Sequence, residues 1–210
     1  NARAADAVAS DEWQAAWAGT GVPGWDAELP TYERGDSVAT RVAINAAFNA
    51  TVEAIPGLVA GSADLTGNTG TKLAGQTQQS PAEPGGRQIY FGVREHGMGS
   101  ALVGMALHGG ILPVGGTFFA FLDYMRPPVR LAALSRAKVT FVFTHDSVGV
   151  GEDGPTHQPV EQLATLRAIP DLHVIRPADA NETVAAWADA VRHDGPTALV
   201  LTRQNVPVVT

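Results

Sequence analysis

The sequence contains no cysteine. That excludes a disulfide framework, a thiol nucleophile and a thiolate metal site, although cysteine usage alone does not fix a compartment. No apolar run approaches the roughly 18–20 residues that span a bilayer, and no basic-then-apolar signal pattern is present, so nothing in the chain targets a membrane. Lys/Arg runs are also missing, and 21 acidic against 14 basic residues give a formal charge of -7. Such a surface repels phosphate backbones and anionic lipid, which makes nucleic acid and membranes poor partners and the cytoplasm the default location. There is no initiator Met: the opening NARAADAVASDEWQAAWAG reads as part of a helix followed by an exposed connection, and leads us to expect a fragment.

What is present suits a single large domain with an arm, since 210 residues at 45% hydrophobic content can bury a substantial core. Residues 1–36 are expected to form the arm: a short amphipathic stretch around Trp13 and Trp17, then a segment punctuated by Gly21, Pro23, Gly24 and Pro30. Residues 37–210 are expected to form the domain. Within it, β-rich runs at 58–61, 88–93, 111–116, 139–144, 172–177 and 197–202 alternate with helical patterns. The helices are expected at Arg41–Ile55, Gly97–His108, Phe118–Leu134, Val160–Ala168 and Glu182–His193, the last capped by Asn181 and followed by Gly195. Strands apolar on both faces and separated by helices imply a three-layer, doubly wound α/β fold with a mostly parallel sheet. Ligands of such sheets sit in the loops after the carboxyl ends of strands.

Three segments concentrate chemistry in those loops. The first, HDSVGVGEDGPTHQP at 145–159, packs His145, Asp146, Glu152, Asp153 and His157 among glycines and prolines. It contains Gly149-Val-Gly151-Glu-Asp-Gly154, a formal G-x-G-x-x-G, but Pro155 follows instead of a helix, and two carboxylates would repel a pyrophosphate. A metal site of His and carboxylate is conceivable by ligand type, yet the spacing follows no ligand rhythm. The remaining readings are hydrogen-bonding or proton-transferring histidines for a polar substrate, with Asp153 accepting from a hydroxyl, or a polar loop that satisfies its own backbone. In the second segment, FGVREHGMG, Arg94, Glu95 and His96 stand between an apolar strand and a nearly apolar helix. Glu95 is therefore either a candidate acid at a desolvated boundary or one half of an ion pair with Arg94. The third, GGTFFAFLDY, presents Phe118, Phe121 and Tyr124 at i, i+3 and i+6, either ordinary core or an aromatic pocket for a flat ring.

SADLT, REHGMG, GGTFFAFLDY, SRAKVTFVFTHD, HDSVGVGEDGPTHQP and LTRQNVP together resemble the pyrimidine-binding domain of transketolases, from about Ser37 to Val206. GEDGPTHQP is the most specific part. The resemblance implies thiamine diphosphate as cofactor and two-carbon transfer between sugar phosphates. Glu95 resembles the glutamate that hydrogen-bonds N1′ of the aminopyrimidine and helps the cofactor to deprotonate itself, and Phe118, Phe121 and Tyr124 resemble its aromatic pocket. His145 and His157 resemble the histidines that contact the reacting oxygens of the sugar, and Asp153 the acid that recognises the donor's C2 hydroxyl. Arg41 and Arg203 resemble the guanidinium pair on the sugar phosphate, a task suited to arginine. Asp64 resembles a residue near the thiazolium and the dimer contact.

Two positions depart from the pattern. SADLTGNTG places Asn68 where a phosphate-binding serine is usual, so that Asn68 or Thr69 must take its role, and Gly97 replaces an alanine. The resemblance further implies a homodimer in which a partner supplies the diphosphate-binding domain, with its Mg²⁺ and GDG…N motif. That motif does not occur before Arg41, and no metal ligand is expected in this chain. A stand-alone, non-catalytic subunit or assembly module that requires a partner chain is the alternative.

Overall fold

The computed structural model describes residues 10–210. In chain order the helices are α1 (Asp11–Ala18), α2 (Thr40–Thr51), α3 (Glu95–His108), α4 (Leu122–Ser135), α5 (Gln162–Arg167) and α6 (Ala180–Arg192). The strands are β1 (Ser37–Ala39), β2 (Leu58–Ser62), β3 (Gln88–Tyr90), β4 (Leu112–Phe118), β5 (Thr140–Thr144), β6 (His173–Ile175), β7 (Thr197–Val200) and β8 (Asn205–Pro207). Three 3-10 turns, Phe119–Phe121, Val148–Val150 and Pro155–His157, fall in loops at the carboxyl ends of β4 and β5.

Runs such as TFVFT and TALV are apolar at consecutive positions, and a strand of that kind is stable only when both faces are covered. They form a six-stranded sheet in the order β3-β2-β4-β5-β7-β6, parallel throughout. Alternate side chains feed two cores. Phe141 and Phe143 of β5 join Met98, Leu102, Met125 and Val129 from α3 and α4, whereas Val142 joins Phe48, Trp187 and Val191 from α2 and α6. Each fully buried Phe or Leu contributes about 1.5–3 kcal/mol, so these two layers dominate the stability. Between α3 and α4 the helices approach at Gly99, where a Cβ would lie 2.7 Å from Cγ of Pro128. The doubly wound α/β arrangement expected from the strand pattern is the one observed.

Several local expectations are corrected. The helix anticipated over 118–134 is broken: Phe118 ends β4, a 3-10 turn covers Phe119–Phe121, and α4 begins only at Leu122. α3 begins at Glu95, two residues before Gly97, so Glu95 occupies its first turn. α2 stops at Thr51, whose hydroxyl accepts from Trp187 Nε1 at 3.0 Å. α6 is capped not by Asn181 but by Asp179, which accepts from the Glu182 N–H at 3.0 Å. Asn181 instead clasps the Tyr32 backbone, its Oδ1 accepting at 2.9 Å and its Nδ2 donating at 3.1 Å.

A further pairing was not anticipated at all. β1 and β8 form an antiparallel ribbon, Ser37 opposite Pro207 and Ala39 opposite Asn205. Of the stretch read as an arm, residues 1–9 lie outside the described residues, and the rest lies against the domain. Trp25, Leu29 and Tyr32 pack on the α2–α6 core, and Trp17 stacks over His108 at 6.4 Å. Among the described residues, no helix is long and apolar enough to cross a membrane.

Candidate functional site

A parallel sheet sends every strand's carboxyl end to one edge, so loops distant in sequence meet there. Asp64 and Asn68 follow β2, Glu95 follows β3, Phe118 closes β4, His145 to His157 follow β5, and Arg203 follows β7. Arg41, in the first turn of α2, is brought to the same edge by a pair of threonines. The Thr40 N–H donates to Thr202 Oγ1 at 3.0 Å and the Thr202 N–H donates to Thr40 Oγ1 at 2.7 Å. This reciprocal clasp sets the two following residues, both arginines, side by side. Arg41 then donates from Nε to the Arg203 carbonyl at 3.3 Å and from Nη1 to the Asn68 carbonyl at 3.0 Å.

The loops enclose a cleft of about 290 Å³ lined by Arg41, Leu65, Asn68, Phe118, His145, Asp153, His157 and Arg203. Both imidazoles are set in the same way. Thr144 Oγ1 lies 3.0 Å from His145 Nδ1, and Thr156 Oγ1 lies 2.9 Å from His157 Nδ1. Each ring is thereby oriented by the threonine that precedes it, and Nε2 makes no hydrogen bond among the described residues. Phe118 stacks on His145 at 3.7 Å, and His157 meets Phe118 and Phe121 edge-on at 6.0 and 5.4 Å. His145 is 3% exposed. Burial first, then the Arg41 charge, pushes its imidazole down to about 4, against the opposing pull of Asp153 and with further help from Arg203 and His157. It is therefore neutral at pH 7 and adds no third positive charge beside the two arginines, while its Nε2 remains available to donate or accept a hydrogen bond.

The cations are partly compensated from within. Arg203 pairs with the exposed Glu152 at 2.7 Å, while burial and the neighbouring Arg203 charge lower the pKa of Arg41 from its ordinary value. Between Asn68 and Thr69, the structure separates the two residues that could stand for the missing serine. Thr69 is fully buried, and its hydroxyl is engaged by the Leu65 carbonyl and Thr71, both at 3.0 Å. Asn68 is the one that lines the cleft.

Glu95 does not line this cleft. It is 8% exposed, and its carboxylate makes no hydrogen bond or ion pair among the described residues. The ion pair with Arg94 is not formed, since Arg94 turns its guanidinium back to the Phe91 carbonyl at 3.2 Å. Phe118, Phe121 and Tyr124 do stand in a row, with ring centres 5.8 and 6.1 Å apart, although they come from a strand end, a 3-10 turn and a helix rather than one helical face. Tyr124, 64% exposed, forms the outer end. A carboxylate free of protein partners on a largely buried residue, and a row of rings at the same sheet edge, are the acceptor and the stacking surface that a flat heteroaromatic group with an N–H requires. Asp64 is exposed, in left-handed backbone with φ 69°. Among the described residues, no group of three or more His, Asp or Glu is placed to hold a metal ion.

Leu65, the two clasp threonines and Arg176 escaped the sequence reading. Arg176 is bonded to Asp146, 30 residues away. Only the position of Arg176 just after an apolar strand run could have marked it.

The chain matches the family described as "Transketolase, pyrimidine binding domain" over residues 36–209. It is 56% identical over 186 residues to the transketolase of Bacillus subtilis (strain 168), an alignment that takes in 88% of this chain and 28% of that protein. It thus spans less than a third of that relative's length. The structure of a Pichia stipitis transketolase in complex with sedoheptulose 7-phosphate has a TM-score of 0.89 at 45% identity, covering 94% of this chain and 30% of that one. A split-gene transketolase solved as an inactive β4 tetramer has a TM-score of 0.67 at 28% identity, covering 82% of this chain and 54% of that one. By sequence over most of its length and by the course of its parallel sheet, the chain belongs to the transketolase pyrimidine-binding domain family.

Proposed function

We propose that this chain forms the pyrimidine-binding half of a thiamine-diphosphate site that moves a two-carbon ketol unit from a ketose phosphate to an aldose phosphate, as in the pentose phosphate pathway. The observation that carries the reading is the cleft itself: Arg41, Asn68, His145, Asp153, His157 and Arg203 line one cavity. Two guanidinium groups, two imidazoles and a carboxylate in one cleft suit a small anionic polyol, with the phosphate held at the arginines. Asn68, whose backbone carbonyl accepts from Arg41, adds a side-chain amide for the phosphate. His145, neutral and stacked, and His157 hold or move protons at the substrate's reacting oxygens, and Asp153 accepts from the donor's C2 hydroxyl.

The residues present fit the cofactor's pyrimidine. Glu95, buried and unpartnered, would hold a proton at N1′, and Phe118 and Phe121 would stack on the ring and exclude water, with Tyr124 and Asp64 at the margin. Thiamine diphosphate, when bound, supplies the carbon nucleophile for ketol transfer. Its diphosphate and Mg²⁺ would lie on the diphosphate-binding domain of a homodimer partner. In this reading residues 1–36 are an arm leading into the domain at 37–210, the setting is cytoplasmic, and the formal charge of -7 disfavours polyanionic or membrane partners.

Glu95→Gln in the complete enzyme should lower kcat by about 10²–10⁴-fold, the range for a lost proton-transfer group, with the melting temperature little changed. Wild-type rates in that variant would remove Glu95 from the mechanism. A second reading, a separate non-catalytic subunit that needs a partner chain, is favoured by the likeness to the split-gene protein. An antibody against this chain, used on a lysate of the source cells, distinguishes the two. A native band far above 21.9 kDa supports the full enzyme, and one near 21.9 kDa supports the subunit.

A further inference from the structure

His145 sits in a conformation uncommon for any residue but glycine. Its backbone is left-handed, φ 60°, a region that non-glycine residues occupy only when their surroundings over-determine them. Its ring is nonetheless fixed, 3.7 Å from Phe118 and tilted 28° to it. The next residue, Asp146, has a side chain only 2% exposed, and Arg176 grips it twice at the same oxygen, through Nε at 2.9 Å and Nη2 at 2.7 Å to Oδ2. The other carboxylate oxygen, Oδ1, is buried without a partner. Arg176 is therefore the only charge compensation this carboxylate has among the described residues, and removing either group leaves the other uncompensated.

The topology gives the pair its leverage. Asp146 follows β5 and Arg176 follows β6, and these strands are separated in the sheet by β7, which carries Arg203 on its following loop. The ion pair thus bridges the carboxyl end of β7 and ties the edge strand to the loop that carries His145. Arg176 lines no part of the cleft and remains partly hydrated, with 39% of its side chain exposed.

We propose that Asp146 and Arg176 are positioning residues for His145: their half-buried ion pair holds the strained backbone at His145 and so keeps its ring stacked on Phe118 in the cleft. The structural half of this proposal stands on the geometry alone, and the kinetic half rests on the ketol-transfer reading.

The test records the imidazole C–H resonances of His145 in the isotopically labelled full chain. Phe118→Leu identifies the upfield ring-current shift that the stack imposes. In Asp146→Asn and Arg176→Met, each shown to be folded by its melting transition, that shift should be lost, and Arg176→Lys, which keeps the charge, should restore part of it. An unchanged His145 shift in either folded variant overturns the proposal. Should Asp146→Asn not fold, Arg176→Met decides alone, because its hydrated side chain is the safer one to remove. In the complete enzyme the same variants should lower kcat by about 10²-fold with a smaller change in KM, the cost of misplacing a reacting group by about 1 Å. A lost stack with unchanged kcat overturns the kinetic half. Absence of ketol transfer in the wild-type enzyme overturns the functional reading and leaves the resonance experiment intact.

Discussion

Thr40 and Thr202 exchange hydrogen bonds across 162 residues of sequence, and their hydroxyl oxygens lie 3.2 Å apart. Together they fix where Arg41 and Arg203 begin. Thr202→Val keeps the shape but leaves the buried Thr40 N–H unpaired, and should destabilise the domain by about 1–3 kcal/mol in urea unfolding. His145 allows a second prediction at this scale. Its imidazole is pushed from an ordinary value of 6.5 to about 4, so between those values the unfolded chain binds a proton that the folded chain refuses. His145 thus adds stability above pH 6.5 that is lost as the pH falls towards 4. Titration of its imidazole resonances should give a midpoint near 4, and a midpoint near 6.5 would show that the ring is solvated. The histidines, Asp153 and Glu95 were legible because they sit in dense, polar, glycine-rich segments beside apolar strands. The clasp and the Asp146–Arg176 pair were not, because threonine and arginine are ordinary at these positions until a partner far along the chain is brought against them.

Among the elements, α6 shows how a cap can serve two ends. Asp179 accepts from the N–H groups of Glu182, Val209 and Thr210 at 3.0, 2.9 and 3.0 Å and from the Thr210 hydroxyl at 2.8 Å. Burial by itself would push the carboxyl up, but these donors prevail and hold it down at about 2, against an ordinary 3.8. A depressed carboxyl contributes stability that is present above pH 3.8 and lost as the pH falls towards 2. Asp179→Asn should therefore flatten the acid limb of the stability profile in that window, and should also cost about 1–3 kcal/mol at pH 7 in denaturant unfolding. The long strands could be read in advance because their apolar runs need no partner to be recognised. Asn181 was the natural choice of cap, since it stands directly before Glu182, yet Asp179 won because its carboxylate can collect donors from two directions. The break at Phe119–Phe121 was hidden by an aromatic spacing that a helix and a strand-turn-helix satisfy equally well.

For the molecule as a whole, the ribbon of β1 and β8 places Ser37 directly opposite Pro207, so the domain is entered and left at one spot. Paired strands lie about 5 Å apart, a gap that a few residues close. Neither strand has an apolar run, which is why the sequence alone did not announce them: three residues at each end are recognisable as strands only by their pairing with each other. A domain whose first and last strands pair with each other brings its two ends together without either end threading through the sheet. It should accordingly tolerate circular permutation that keeps every described residue, with residues 10 and 210 joined by a flexible Gly/Ser linker and the chain reopened in the exposed turn at 81–85. Such a permutant should show the native circular dichroism spectrum and a single cooperative melt. A broad, non-cooperative melt would mean that the order in which the strands leave the ribbon, and not only their final pairing, is what lets the sheet assemble.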